Sequence, residues 1–147
     1  MDLKFRIATM ADAKLLFQWR NDPETRKQCH TTGNIYYDNH LSWLEKSLVN
    51  ANREIRIVEL NGVAVGHIRL DKAVDRYELT WSVAPNARGK GIGKSMLKAT
   101  LATLTLPARA EIKSANAASK RMAVYAGMTL EREEKNVLYY HYSPLRA

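Results

Sequence analysis

Gly89, Gly91 and Gly93 stand at alternate positions between a run that reads as a strand, Arg76 to Val83, and one that reads as a helix, Gly93 to Leu104. Glycines so spaced let the backbone come close to a ligand and turn several N–H groups inward. A helix beginning near Gly91 adds the positive end of its dipole to those donors. The chemistry implied is a cradle for phosphate or pyrophosphate. Charge gathers around it: between Asn86 and Arg121, the basic Arg88, Lys90, Lys94, Lys98, Arg109, Lys113, Lys120 and Arg121 face the single acid Glu111, in a chain whose net charge is +8. Such a surplus is either a solvated helix face or a polyanion site, and the motif within it decides.

Two phosphate loops fail on spacing. Gly93-Lys94-Ser95 has the end of a Walker loop, but position 88 is Arg where that loop needs Gly. Gly89-Lys90-Gly91 begins a dinucleotide fingerprint whose third glycine is replaced by Lys94.

The elements that must position the cradle follow from periodicity and turns. Leu3 to Ile7 reads as a strand and Ala13 to Arg20 as a helix that stops at Asn21-Asp22-Pro23, with Arg26 to Asn34 a loop. Tyr36 to Leu48 is helical, with Tyr37, Leu41, Leu44 and Leu48 on one face. Glu54 to Leu60 and Val63 to Leu70 form a hairpin about Asn61-Gly62, and Arg76 to Val83 extends it to a meander. After the Gly93 helix come a strand at Ala108 to Lys113 and a helix at Ala117 to Tyr125 closed by Gly127. Strands Thr129 to Glu134 and Val137 to Tyr142 end the chain.

With 147 residues, 46% apolar and 26% charged, the chain suits one globular domain, residues 1–147, and not a disordered or collagenous one. A lone Cys29 gives neither an internal disulfide nor a cysteine zinc site. His30, His40, His67 and His141 lack metal-ligand spacing, so no metal is expected. The first ten residues carry Asp2 and no signal-type apolar run, and no stretch is long enough to span a bilayer; the expectation is a cytoplasmic protein without a membrane partner.

The string that does fit is Arg-x-x-Gly-x-Gly, Arg88 to Gly93, after Val83-x-Pro85. Downstream stand Asn116-x-x-Ser119 and Tyr125-x-Gly127-Met128. These motifs and the order of elements resemble the GNAT superfamily of N-acetyltransferases over essentially the whole chain. The resemblance implies an α+β fold: a mixed, mostly antiparallel sheet of about seven strands, about four flanking helices, and a splay between the fourth and fifth strands. It implies acetyl-CoA as co-substrate. Its pyrophosphate would lie on Arg88, Gly89, Lys90, Gly91, Ile92, Gly93 and Lys94, its pantetheine arm beside Trp81, Ser82 and Val83. Asn116, Ser119 and Lys120 or Arg121 would meet the rest.

Acetyl transfer from a thioester needs a neutral amine, a stabilised oxyanion and a proton for the leaving thiolate. Tyr125 resembles the GNAT tyrosine near the CoA sulfur and is the candidate acid; the alternative is a core aromatic. Glu78, on the strand leading to the cradle, is the candidate base, and a surface carboxylate is the alternative. His67 is a second candidate base or a strand histidine. Cys29 has no visible activating partner and reads as a passive thiol.

The acceptor side falls to the first third. Trp19-Arg20-Asn21-Asp22-Pro23-x-x-Arg26 resembles GNAT members that acetylate nucleotide-linked amino sugars in surface-glycan synthesis, and related strings occur in those that modify protein amino termini. Trp19, Tyr36 and Trp43 could stack a ring, and Arg20, Arg26 or His30 could meet a diphosphate, with Asn21 beside them. Equally, both tryptophans could be core anchors. Other classes stay open: another amine acceptor, an acyl-CoA binder without catalysis, or a basic nucleic-acid module, although no nucleic-acid signature interleaves the charges. A homodimer through Leu138 to Tyr142 is also expected from the resemblance.

Overall fold

The computed structural model describes residues 1–144; Leu145 to Ala147 lie outside the described residues. Strand β1 (Leu3–Ile7) leads through a 3-10 turn, Met10–Asp12, to helices α1 (Ala13–Asn21), α2 (Pro23–Gln28) and α3 (Tyr37–Leu48). Strands β2 (Arg53–Leu60), β3 (Val63–Lys72) and β4 (Tyr77–Val83) follow, then a 3-10 turn, Pro85–Ala87. Helix α4 (Ile92–Ala102), strand β5 (Ala108–Lys113), helix α5 (Ala117–Ala126) and strands β6 (Thr129–Glu134) and β7 (Val137–Tyr142) complete the order. The seven strands form one sheet, β1-β2-β3-β4-β5-β7-β6, antiparallel except where β4 meets β5.

Helix α2 falls where the sequence reading has a stop and a loop. Asp22 ends α1, and its extended backbone before Pro23 is what a proline imposes on its predecessor. The same residue also starts α2: its carboxylate accepts from Thr25 N–H, and Pro23 sits in the first turn, where a missing N–H costs nothing. Stop and start share one Asp-Pro pair, so the described residues hold five helices where about four were expected.

In α3 the interior positions are His40, Leu44 and Ser47, while Tyr37 is exposed and Leu41 and Leu48 are half-buried. Two polar residues are accepted because each has a partner. His40 donates Nε2–H to the Ala13 carbonyl at 2.9 Å, tying α3 to α1, and Ser47 Oγ accepts from Arg53 at 3.0 Å. Burial holds the His40 imidazole below its ordinary value and keeps it neutral at pH 7.

Residues facing each other across an antiparallel pair share a face. Arg53, Ile55 and Ile57 of β2, His67, Arg69 and Asp71 of β3, and Glu78, Thr80 and Ser82 of β4 therefore lie on one side. Trp43 of α3 packs there against Arg53 and Arg69. The opposite side carries Ile68, Leu70 and Leu79 with Met96, Leu97 and Leu101 of α4, all buried. The β2–β3 turn has both Asn61 and Gly62 in the left-handed region, as the Asn-Gly hairpin requires.

Strand β7 lies between β5 and β6. Leu138 to Tyr142 therefore has both edges taken and cannot pair with a second chain, contrary to the dimer expected through it. The edge strand on this side is β6, exposed throughout and rich in charge at Glu131, Arg132, Glu133 and Glu134, a composition that resists edge pairing.

The entry to α1 is fixed by one ion pair. Arg6 gives Asp12 two hydrogen bonds of 2.8 Å, and Asp12 also accepts from Thr9 N–H within a capping box. The Arg6 hydrogen bonds, against the cost of partial burial and aided by Thr9, hold the Asp12 carboxyl below its ordinary 3.8. A depressed folded-state value means the contribution is present above 3.8 and is lost as pH falls through the folded value. Asp12→Asn should lower stability at pH 7 by about 1–3 kcal/mol, with a smaller deficit below pH 4, read as chemical-denaturation midpoints. An equal deficit at both pH values would show that the charge is not what matters.

Candidate active site

Strands β4 and β5 pair only at Tyr77 with Ala108 and Glu78 with Arg109. Beyond Glu78 they part, leaving the β4 edge from Leu79 to Val83 without a strand partner on that side. A cavity of about 1080 Å3 opens through the gap. One wall is Val83, the Gly loop and the starts of α4 and α5; the other is α1, α2, the segment after it and α3.

The cradle has the geometry its glycines suggest. Gly89 and Gly91 both have φ of +77°, where other residues are strained, and a Cβ at either would meet nothing within 4 Å. Gly91 is the N-cap of α4 with no side-chain cap, so the first N–H groups of the helix are free for a ligand. Gly93 serves a different need. A Cβ there would stand 2.5 Å from the Met122 sulfur and 3.1 Å from Val83, so its absence lets α4 close on α5 and β4.

Of the residues expected at the cofactor, Trp81, Ser82, Val83, Arg88, Gly89, Gly91, Ile92, Gly93, Lys94, Asn116, Ser119 and Arg121 line the cavity, whereas Lys90 and Lys120 do not. Asn116 caps α5 by accepting from Ser119 N–H at 3.1 Å. The Arg88 side chain turns away from the loop to donate to Asp22 at 2.8 Å and Thr25 at 2.9 Å, joining the cradle to the cap of α2. Partial burial opposes the Asp22 charge, but the hydrogen bonds from Arg88 and Thr25 outweigh it and hold the carboxyl below its ordinary value.

Tyr125 is not at the cavity. It shares a face of α5 with Arg121 and Met122 but lies a turn further on, 52% exposed, with the Lys94 and Lys98 ammonium groups 5.6 and 5.2 Å from its ring centre. The acid role read for it lacks the required placement. Glu78 does line the cavity, its Oε1 accepting from Arg76 Nε at 2.7 Å.

On the acceptor side Trp19, Arg20, His30 and Trp43 line the cavity and Asn21 and Arg26 do not. Asn21 instead exchanges two hydrogen bonds with the Ile35 backbone, and Arg26 bonds Asn34, so both brace the segment between α2 and α3. Trp19 is 6% exposed, a core anchor. Trp43 is 38% exposed, but His40, Arg53 and Arg69 already stand against its ring. Tyr36 is exposed and off the cavity. Ring stacking expected of these aromatics is thus largely used by the protein itself. Arg20 donates to the Thr31 carbonyl at 2.7 Å and keeps a second, buried guanidinium nitrogen without a partner.

Of the four cavity carboxylates, Asp71 and Glu78 are compensated by arginines, while Glu24 accepts from the Gln28 amide. Asp71 is shared by Arg53 at 2.6 Å and Arg69 at 3.1 Å, Glu78 is held by Arg76, and Glu111 lies 3.6 Å from His30. Sequence reasoning missed Arg69 and Asp71, whose alternation with His67 is the only signal that could have placed them here. Among the described residues no cluster of three or more potential metal ligands occurs.

A phosphate cradle at the start of a helix, feeding an opened strand edge, is the layout of a transferase for a long phosphorylated donor. The model of the acetyltransferase (GNAT) domain family matches residues 2–129, and the chain belongs to that family. No curated protein sequence matches it. Among solved structures it is similar to an aminoglycoside acetyltransferase, AAC(6')-Ib, bound to coenzyme A, with TM-score 0.84, 16% identity, and 97% of this chain and 95% of that chain covered. The spermidine N-acetyltransferase of Vibrio cholerae, with CoA and spermine, gives TM-score 0.82 and 14% identity over 95% and 92%. The Salmonella typhimurium protein yncA, with acetyl-CoA, gives TM-score 0.76 and 20% identity over 100% and 96%. At these identities the likeness is one of fold.

Gly91→Glu places a side chain at a left-handed position, which costs about 1–2 kcal/mol, and a negative charge in the cradle. CoA affinity, measured by calorimetry, should fall at least about tenfold while the protein stays folded by circular dichroism. Undiminished affinity would remove the cradle from the binding site.

Proposed function

We propose that the protein transfers acetyl from acetyl-CoA directly to a primary amine, and that the acceptor is a nucleotide-linked amino sugar. The observation that carries the first statement is the unpartnered β4 edge, Leu79 to Val83, running straight into the Gly89–Gly93 cradle. The pyrophosphate would rest on the free N–H groups at the start of α4 and the pantetheine arm along β4. A backbone N–H of that edge would donate to the thioester oxygen as it becomes an oxyanion. Arg121, Lys94 and Ser119 line the same wall for the remaining phosphate and polar groups. Acetyl transfer needs no metal in this scheme.

The acceptor amine arrives as an ammonium ion and must lose a proton before it can attack. Glu78 lies on the acceptor-facing side of β4 and would take that proton, directly or through water.

Charge supports the acceptor class. A polyamine or aminoglycoside carries several positive charges and calls for uncompensated carboxylates; of the four in the cavity, Asp71 and Glu78 already face arginines, which leaves Glu24 and Glu111. Arg20 and His30 both line the acceptor wall, where their N–H groups would meet a diphosphate. The reading does not draw on ring stacking by Trp19 or Trp43.

Release of CoA thiol from acetyl-CoA should be seen with UDP-linked amino sugars and be at least about tenfold slower with spermidine, kanamycin or an amino-terminal peptide. Preference for spermidine or the peptide would overturn the acceptor assignment and leave the donor intact. No release with any amine of the panel would reduce the protein to an acyl-CoA binder. Tyr125→Phe should change the rate by less than about twofold; a larger loss would bring Tyr125 back to the chemistry.

A further inference from the structure

The acetyl-transfer reading leaves one task unassigned. After the amine attacks, its nitrogen holds a surplus proton and the departing thiolate lacks one. Tyr125 is a turn beyond the cavity, and α5 offers Ala118, Ser119, Arg121 and Met122 there, none of them a suited acid.

His67 and Ser82 are direct partners across the β3–β4 pair, with Nδ1 and Oγ 2.7 Å apart. Both line the cavity. Ser82 belongs to the part of β4 that has left β5, next to Val83, where a thioester lying along the free edge would present its carbonyl and sulfur. Ile57 faces His67 from β2, Ser82 faces it from β4, and the charge acting on it is that of Arg69 on its own strand. Burial, with Arg69 second, pushes the imidazole down to about 4, so it is neutral at pH 7 and a strong acid once protonated.

We propose that Ser82 is a catalytic proton relay, with His67 as its positioning residue and proton store. This rests on the acetyl-transfer reading. The amine nitrogen attacks the thioester carbon, a C–N bond forms and the carbonyl electron pair moves to oxygen. The nitrogen gives its surplus proton to Ser82 Oγ while the Ser82 hydroxyl proton passes to His67 Nδ1. The carbonyl re-forms, the C–S bond breaks and sulfur leaves with the electron pair. The proton on His67 returns through Ser82 Oγ to the thiolate. The products are amide and CoA thiol, the dyad ends as it began, and no acetyl group is placed on serine.

The test uses the full chain with acetyl-CoA and the best acceptor amine. Ser82→Ala should lower kcat about 100-fold or more, with KM for both substrates within about twofold and CoA affinity unchanged. Ser82→Thr, which keeps the hydroxyl, should recover most of the rate. His67→Gln should also lower kcat, and the double variant should be no slower than Ser82→Ala, since two parts of one relay are not additive. Independently of any variant, nitrogen NMR of the wild type should show His67 neutral at pH 6, with a hydrogen bond at Nδ1. A kcat for Ser82→Ala within about twofold of wild type, strictly additive losses, a His67 charged at pH 6, or acetyl-Ser82 found by mass spectrometry would each overturn the relay. A wild-type protein that binds acetyl-CoA and acetylates no amine would overturn the functional reading itself, and the relay with it.

Discussion

Parallel strands β4 and β5 stay together for two residue pairs and then diverge, and the rest of the molecule is arranged around that divergence. A continuous sheet would satisfy the β4 backbone and leave nothing to bind. The opened sheet exposes a row of main-chain groups from Leu79 to Val83, costly unless a ligand or water meets them. Helices α4 and α5 hold the gap open from one face, closing on each other because Gly93 has no side chain to keep Met122 away. Helices α1 to α3 wall the other face, fastened by His40 to Ala13 and by Arg53 to Ser47.

Two walls made by distant parts of the chain are tied together by the Arg88–Asp22 ion pair. Arg88, in the cradle, reaches Asp22 and Thr25, at the start of α2. Asp22 thus ends α1, caps α2 and anchors the loop, so the donor and acceptor halves share a fixed point. The basic surplus also acquires a local meaning. Arg88, Lys94, Lys113 and Arg121 line the cavity, and Lys94 and Lys98 cover Tyr125, while Lys90 and Lys120 stand off it. The cavity-lining part of that surplus is a counterpart for a polyanionic co-substrate.

Features carried by local chemistry were legible in the sequence. Asn61-Gly62 marks a turn that needs two left-handed residues, and Gly89 and Gly91 mark a loop that needs the same. The mixed, mostly antiparallel sheet of about seven strands and its splay came from resemblance and match the sheet observed. Helix α2 was hidden because Asp22-Pro23 is a valid stop and a valid start, and nothing local says that both apply. Tyr125 shows a different limit: a position implied by a motif's resemblance does not say how far along the helix the cavity extends. Trp43 shows a third, since an exposed aromatic looks free for a ligand until Arg53, Arg69 and His40 are brought to it by tertiary packing. The Arg69–Asp71–Arg53 group was invisible for the same reason.

Amide hydrogen exchange of the free protein and of the protein with saturating acetyl-CoA addresses the central claim most directly. The account predicts new protection concentrated in residues 79–83 and 88–95, where the free strand edge and the helix start lie, with β2 and the β6–β7 hairpin unchanged. Protection absent from both segments, or spread evenly over the basic surface, would contradict it.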